Sequence, residues 1–304
     1  MPELPVSAYA GPMLLTMSGR PSARALPPQA YFAGGAVFHY LGPSFAVLLF
    51  ARVDVLGVAW MRIGSAALVF AFWRRPWRRL REIDARTRLL VAGLGAVFAC
   101  MNACFYLAID RLPLATVAAV EFLGPIGLAL AGARTGRNWL AVASATAGVY
   151  LLTHVQIAGG AAGVGFALAN AALFTLYIVL AHRVARTPSL GGIDGLAAAM
   201  LCALGIVFPI GFADAAHALT DPVAVLAGIG VGVSSSVIPY VCDQLAMARL
   251  ARATYALFVS LLPACAAVVG VVVLRQIPTA LDLAGIGLVM LGVSIHREPR
   301  DAAG

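Results

Sequence analysis

Long apolar segments separated by short polar connections set the pattern of this chain. Each segment runs for about 20 residues, which at about 1.5 Å per residue crosses the roughly 30 Å hydrocarbon core of a bilayer. The alternation of apolar and polar residues that a membrane β-barrel requires is not found along the sequence. The pattern therefore predicts an all-α membrane protein with ten transmembrane helices, at residues 30–50, 55–72, 89–109, 113–132, 138–154, 162–181, 193–212, 222–248, 252–274 and 280–296.

The sequence also contains an internal repeat. The stretch 107–129 recurs 138 residues later, so the chain divides into two copies of five helices each, residues 30–154 and 162–296. Because each copy holds an odd number of spans, the second has the opposite orientation, as in many secondary transporters whose binding sites lie near the midplane. Residues 1–29 are rich in proline and are expected to form a disordered cytoplasmic tail, and residues 297–304 form a second tail.

The composition agrees with a membrane protein. Of the 304 residues, 62% are hydrophobic and 11% are charged, against roughly 25% charged in soluble domains. All 21 basic residues are arginines that punctuate the apolar segments, so the net charge of +8 reflects topology and not a nucleic-acid-binding patch. Only Arg52, Arg111 and Arg275 lie on the side opposite to the majority, and Arg62 lies within a span. The positive-inside rule then predicts that both termini are cytoplasmic in a bacterial inner membrane.

Several classes of protein are disfavoured. The five cysteines lie inside apolar segments, which argues against a secreted disulfide framework. The sequence has no zinc-protease motif, no nucleophile elbow and no Gly-rich phosphate loop, so we predict neither an enzyme nor a cofactor. No polar stretch is long enough for a nucleotide-binding domain, and any transport would draw on an ion gradient.

Two opposite charges near the membrane midplane are the main functional candidates. A charge there costs on the order of 2.5 to 3.5 kcal/mol on insertion scales, so Glu121 and Arg62 require partners. Counted from the inner ends of their helices, their depths agree within roughly 5 Å. A structural ion pair is one interpretation. The functional interpretation is that a zwitterionic amino acid, or a proton, competes for the same two groups.

A second group lies near the inner end of the eighth predicted span. Tyr240 and Asp243 share a helical face with Ser236, and we expect them to line a vestibule. Pro239 can free backbone carbonyls to face a cavity there. The alternative is that Asp243 only snorkels to the interface or caps its helix.

Other polar residues also lie within the spans. Asn102 and Tyr106 share one face of the third span, and Asn170 and Tyr177 share one face of the sixth. Interhelical hydrogen bonding is the simpler interpretation, particularly for Asn170. His39 is interpreted first as a satisfied buried histidine and second as a proton-linked group.

Four stretches carry a resemblance to a known family: M-R-I-G-S-A-A-L-V-F-A-F-W-R-R-P-W from Met61, M-N-A-C-F-Y-L-A-I from Met101, A-A-V-E-F-L-G-P from Ala118 and I-P-Y-V-C-D from Ile238. Through them the chain resembles the EamA-type carriers of the drug/metabolite transporter superfamily, most closely the bacterial threonine/homoserine exporters, over roughly residues 30 to 296. The resemblance implies ten helices in two inverted repeats, a central cavity, and export of small amino acids against protons. It also favours a cavity-lining role for Asn102 and Tyr106.

One feature departs from the family pattern. Family members commonly carry Glu-Pro and a later Gly-Glu pair where this chain has Leu262-Pro263 and Arg275-Gln276. The second repeat therefore lacks acids that relatives keep, which bears on the substrate and the coupling ion.

The leading hypothesis is a secondary active transporter that exports small neutral amino acids across the inner membrane by alternating access and proton exchange. Export of other metabolites or drugs, and a non-transporting membrane scaffold, are the alternatives. The expected partners are an amino acid, protons and membrane lipid, without nucleic acid, and the sequence leaves open whether the protein is a homodimer. The candidate substrate-binding and coupling residues are Arg62, Asn102, Tyr106, Glu121, Tyr240, Asp243, His39 and Tyr177.

Overall fold

The fold was analysed in a computed structural model. It describes residues 28–124, 126–127, 135–157, 161–185, 187, 190, 192–239, 242 and 261–295. Within these ranges the chain forms helices and turns and no strand, which confirms the all-α prediction for this part of the protein. The helices are α1 Pro28–Leu49, α2 Val55–Arg74, α3 Trp77–Glu82, α4 Ala85–Ile109, α5 Leu114–Glu121, α6 Gly136–Ile157, α7 Ala161–Ala185, α8 Gly192–Ala216, α9 Pro222–Gly232, α10 Leu262–Leu274 and α11 Ala280–Ile295.

Five of the described helices are long and apolar enough to cross a membrane, as judged by length and composition. They lie at Ala30–Leu49, Val55–Arg74, Ala85–Ile109, Ala161–Ala181 and Ile193–Thr220. Three shorter apolar helices lie at Pro222–Val237, Leu262–Leu274 and Ala280–Ile295. The arrangement as ten spans in two repeats stays a prediction.

The short helix α3 was not predicted. Its six residues are too few and too rich in arginine for a hydropathy signal. Trp77 and Leu80 are three residues apart and therefore share a face, and Leu80 packs against the hydrophobic cluster that contains Ile83. An amphipathic helix of this kind is typical of a membrane interface.

The helices pack mainly as the pairs α2–α8, α4–α7, α4–α8 and α6–α11. Small residues allow these close contacts, because in lipid the association depends on tight packing. A Cβ atom at Gly57 would lie 2.9 Å from the backbone nitrogen of Ala215, between α2 and α8. A Cβ atom at Gly148 would lie 2.6 Å from the carbonyl oxygen of Gly285, between α6 and α11.

The largest hydrophobic cluster surrounds the candidate site. Tyr40 of α1, Tyr106 of α4 and Val120 of α5 are all buried within it, together with residues of α2 and α10. Arg62 and Glu121 are buried on two of the helices that form this cluster. The two charged residues therefore lie where the helices pack most fully and not on the lipid-facing surface.

Candidate functional site

Arg62 points from α2 into the protein and is only 7% exposed. Its Nε donates a hydrogen bond to Ser236 Oγ at 3.1 Å, and its Nη2 donates to the carbonyl oxygen of Ser235 at 3.2 Å. Its guanidinium carbon lies 5.5 Å from the centroid of the Tyr106 ring. Neutral groups thus stabilise the buried charge, and among the described residues no carboxylate lies within ion-pair distance of it.

The serine partners belong to a π-helical turn, Val233–Val237, that directly follows α9. Pro239 has no N–H, so the carbonyl four residues earlier, that of Ser235, loses its α-helical donor. Arg62 supplies the missing donor. The chain thus interrupts its own helical hydrogen bonding at the point where a buried cation is held, and π-helical turns are frequent at functional sites.

Two glycines bring α1 and α2 close to this turn. A Cβ atom at Gly42 would lie 2.8 Å from Ser235 Cα, and one at Gly232 would lie 2.7 Å from the carbonyl oxygen of Arg62. Neither position has room for a larger side chain. The backbones of α1, α2 and the π-helical turn can therefore approach closely enough for Arg62 to reach Ser235.

Helix α4 contributes Asn102 and Tyr106, both buried. The Asn102 amide donates to the carbonyl oxygen of Phe98 in its own helix at 2.8 Å. The Tyr106 hydroxyl makes no hydrogen bond of normal length and angle in the described part of the chain, although it lies near Arg62 and Ser235. The start of α4 is capped by Asp84, whose carboxylate accepts a hydrogen bond from the backbone N–H of Arg86 at 3.1 Å. The Thr87 hydroxyl donates to the same carboxylate and lowers the pKa of Asp84.

Glu121 is the last residue of α5 and is buried. Asn170 of α7 donates a hydrogen bond from Nδ2 to Glu121 Oε1 at 3.2 Å. Gly124 allows this approach, because a Cβ atom there would lie 2.7 Å from the carbonyl oxygen of Ala171. The Oδ1 atom of Asn170 has no described hydrogen-bond partner. A buried acceptor is therefore left open beside the buried carboxylate.

The chain leaves the regular α-helix directly after Glu121. The Phe122 N–H donates to the carbonyl of Ala119, three residues earlier, at 3.2 Å. Pro125 lies four residues after Glu121 and lacks an N–H, so the Glu121 carbonyl loses its α-helical donor. Helix α5 ends at Glu121, and the described residues 123–124 and 126–127 are helical again, so the predicted span over 113–132 is interrupted at Phe122.

The start of α5 is held by the end of α10. The side-chain Oε1 of Gln276 accepts a hydrogen bond from the Leu114 N–H at 3.1 Å, and the Gln276 N–H donates to the Gly270 carbonyl at 3.1 Å. The first N–H groups of a helix need such acceptors. Gln276 therefore caps the helix that carries Glu121.

Arg62 and Glu121 bind different partners in this structure. Among the described residues no ion pair joins the two. The ion pair between Arg62 and Glu121, one interpretation of the sequence, stays a prediction. His39 is half-buried, and its ring centroid lies 5.2 Å from that of Tyr40.

Tyr177 lies in a different hydrophobic cluster. Its ring stacks on Phe174 with centroids 6.1 Å apart and lies 5.9 Å from Phe98. Tyr240 and Asp243 fall outside the described residues, so the predicted vestibule stays a prediction. Among the described residues, no group of three or more His, Cys, Asp or Glu side chains could hold a metal ion.

Two contacts at the candidate site were not predicted from the sequence. The first is the contact of Arg62 with the π-helical turn, which hydropathy does not reveal. Pro239 lies four residues after Ser235, and this spacing alone indicates that the Ser235 carbonyl has no α-helical donor. Asn170 was interpreted as an ordinary interhelical hydrogen-bonding residue, and its bond to Glu121 is interhelical. The sequence does not show that α5 and α7 are in contact. The hydrogen bond between Glu121 and Asn170 therefore could not be predicted from residue spacing.

A family profile described as the EamA-like transporter family matches residues 161–296. Threonine/homoserine exporter RhtA of Salmonella typhimurium (strain SL1344) is 30% identical over 273 residues, covering 85% of this chain and 89% of the relative. RhtA of Escherichia coli (strain K12) is 31% identical over 258 residues, covering 82% and 84%. One solved crystal structure matches the fold with a TM-score of 0.54 and 18% identity, over 88% of this chain and 97% of that chain.

The apolar helices and buried charges define a multi-pass membrane protein. With relatives at 30% and 31% identity over most of both chains, the chain belongs to the EamA-like transporter family. Its class is therefore that of a transporter and not of an enzyme.

Proposed function

We propose that this protein is a secondary active transporter that exports small neutral amino acids of the threonine/homoserine kind across the bacterial inner membrane in exchange for protons. The relatives named as threonine/homoserine exporters support the substrate class. The observation that carries the proposal is a pair of opposite buried charges, Arg62 and Glu121, each held only by neutral partners in the described part of the chain. Such charges are costly, and a zwitterion can bind both without leaving either unpaired.

The proposed architecture is ten spans in two inverted repeats, residues 30–154 and 162–296. The family profile supports it, because its match to residues 161–296 coincides with the second copy. In this scheme α1, α2, α4, α5 and α6 correspond to α7, α8, α9, α10 and α11.

The helix contacts support the same scheme. Each helix can be replaced by its counterpart in the other copy, and a contact should then turn into another contact that is also present. The contact α1–α10 turns into α7–α5, α2–α9 into α8–α4, and α1–α9 into α7–α4. All six of these contacts occur. The contacts α2–α8, α5–α10 and α6–α11 become themselves and occur as well. A pseudo-twofold relation between copies predicts this pattern, and the candidate site lies among the exchanged helices.

Proton coupling is assigned to Glu121. A buried carboxyl group that keeps one neutral hydrogen-bond donor can bind a proton in one state of a cycle and release it in another. Helix interruptions beside Glu121 and Ser235 place backbone carbonyls in the protein interior, where transporters of several folds bind substrate and ions.

The test is a counterflow screen with the purified protein in liposomes. Liposomes loaded with unlabelled threonine should take up labelled threonine or homoserine, and protein-free liposomes should not. The screen should include other amino acids, hydrophobic metabolites and drugs, so that preference for one of those classes would replace the proposed substrate. If no solute is exchanged, the transport proposal is wrong.

A further inference from the structure

Three buried side-chain atoms in the described part of the chain lack a hydrogen-bond partner, and two of them lie beside the candidate charges. One is the hydroxyl of Tyr106, whose ring stacks under Arg62. The other is Oδ1 of Asn170, whose Nδ2 binds Glu121. The third, Nε1 of Trp60, belongs to a ring that packs against Phe208 and Phe212. Buried polar atoms without partners are costly and rare in native proteins.

We infer that Tyr106 and Asn170 complete a site for the zwitterion of an α-amino acid, with Tyr106 and Arg62 binding the carboxylate and Asn170 and Glu121 binding the ammonium group. This inference rests on the proposed function and names the chemical groups that the site requires. A substrate must carry both a free amino group and a free carboxylate. Solutes that carry only one of these groups bind poorly.

The polarity of the open atoms matches the two ends of a zwitterion. A carboxylate is an acceptor and needs donors, which Arg62 and the Tyr106 hydroxyl supply together. An ammonium group has three donors and needs acceptors, which Glu121 and Asn170 Oδ1 supply together. The orientation of the Asn170 amide is fixed by its neighbour, because a carboxylate accepts the Nδ2 hydrogen and leaves Oδ1 as the open acceptor.

The present partners of Arg62 can be exchanged for a substrate carboxylate. The Ser235 carbonyl and the Ser236 hydroxyl are neutral acceptors, whereas a substrate carboxylate carries a full negative charge and can accept two guanidinium hydrogens at once. The Ser236 hydroxyl can turn from accepting the Arg62 hydrogen to donating to the substrate. The π-helical turn therefore holds Arg62 in position while the site is empty.

Substituting Tyr106→Phe separates a binding role from a structural role. It removes a hydroxyl that makes no hydrogen bond of normal geometry in the described part of the chain, so the protein should insert and unfold within about 1–2 °C of the parent. The concentration of external unlabelled threonine that halves the uptake of labelled threonine should rise about tenfold, because one hydrogen bond to a charged group is lost. The matched control is Tyr150→Phe on α6, whose side chain lies on the exposed surface and should show the parental value.

The substrate analogues test the two halves independently. With the parent protein, 3-hydroxybutanoate, which lacks the amino group, and 1-aminopropan-2-ol, which lacks the carboxylate, should each compete at least about tenfold more weakly than threonine. In Tyr106→Phe, competition by 1-aminopropan-2-ol should be unchanged, because that solute has no carboxylate. In Asn170→Ala, competition by 3-hydroxybutanoate should be unchanged while that by threonine weakens. The control is Leu176→Ala on the same helix, whose side chain is 44% exposed.

The outcomes separate the inference from the proposed function. If the parent exchanges threonine but 3-hydroxybutanoate competes equally well, the zwitterion site is wrong and the transporter proposal stands. If Tyr106→Phe lowers the unfolding temperature and leaves threonine inhibition unchanged, Tyr106 is a packing residue and the inference fails. If the parent exchanges no amino acid at all, the proposed function fails and the inference fails with it.

Discussion

Arg62 donates a hydrogen bond to the Ser235 carbonyl at 3.2 Å, and that carbonyl is the one that Pro239 leaves without an α-helical donor. The same spacing separates Glu121 from Pro125, and α5 ends at Glu121. Both buried charges therefore lie beside an interruption of helical hydrogen bonding. Each interruption provides polar backbone groups in the interior of an otherwise apolar bundle, which only a protein-lined site can tolerate.

The first prediction concerns Pro239. The variant Pro239→Ala restores an N–H that can bond to the Ser235 carbonyl, so it should compete with Arg62 for that acceptor. We expect unchanged or higher thermal stability and a loss of transport rate of about tenfold or more, because Arg62 loses a defined partner. Unfolding temperature in detergent and counterflow rate measure the two effects.

The control for this substitution is Pro209→Ala, since Pro209 lies inside the uninterrupted helix α8. It should change stability without a comparable change in transport. Parental transport by Pro239→Ala would show that the interruption at Ser235 has no functional role.

The second prediction concerns the two charges together. Arg62→Gln and Glu121→Gln each leave one buried charge without its opposite, whereas the double variant removes both. We expect the double variant to be less impaired than the sum of the single effects, by about 0.5–3 kcal/mol in stability. The control combines Glu121→Gln with Arg52→Gln, because Arg52 is largely exposed and pairs with Asp221. Strict additivity for Arg62 and Glu121 would mean that the two do not interact.

The third prediction concerns packing around the π-helical turn. Gly42→Ala would place a methyl group against Ser235 and should destabilise the protein by about 1–3 kcal/mol. Gly34 lies on the same helix with no atom within 4 Å of the added Cβ, so Gly34→Ala should be neutral or slightly stabilising. Denaturation of both variants in the same detergent gives the comparison. Equal stability of the two variants would contradict the close approach of α1 to Ser235.

Much of the fold follows from hydropathy, and the departures have physical causes. Helices α7 and α8 extend to Ala185 and Ala216, four residues past the predicted spans in each case. Hydropathy indicates which residues lie in the hydrocarbon core, whereas the helical hydrogen bonding continues beyond it. The interruption after Glu121 could have been inferred from Pro125 by the same argument that was applied to Pro239.

The sequence predicted the charged residues of the candidate site but not the residues that hydrogen-bond to them. Arg62 and Glu121 stood out because charge within a span is costly, whereas Asn170 and Tyr177 looked equivalent on one helix face. The structure separates them, since Asn170 binds Glu121 and Tyr177 packs among aromatic rings. Such a distinction depends on which helices meet, and hydropathy does not encode that.

The fourth prediction concerns topology. Most arginines lie on one predicted side of the membrane, so a reporter that is active only in the periplasm and fused after Ala303 should give no signal. A reporter active only in the cytoplasm, fused at the same position, should be active. A strong periplasmic signal would contradict the predicted topology and the inverted repeat.

The central claim is that Glu121 couples amino-acid export to protons, and the variant Glu121→Gln tests it most directly. Glutamine keeps an oxygen that can accept the Asn170 hydrogen bond but does not titrate, so folding should persist. Threonine–threonine exchange should persist at saturating threonine with a weaker apparent affinity, because the ammonium group loses its charged acceptor. The decisive measurement is threonine accumulation driven by a pH gradient, compared with exchange in the same liposomes. If Glu121 couples export to protons, the parent shows both activities and Glu121→Gln shows exchange alone. Accumulation by Glu121→Gln equal to that of the parent, across a range of pH, would contradict it.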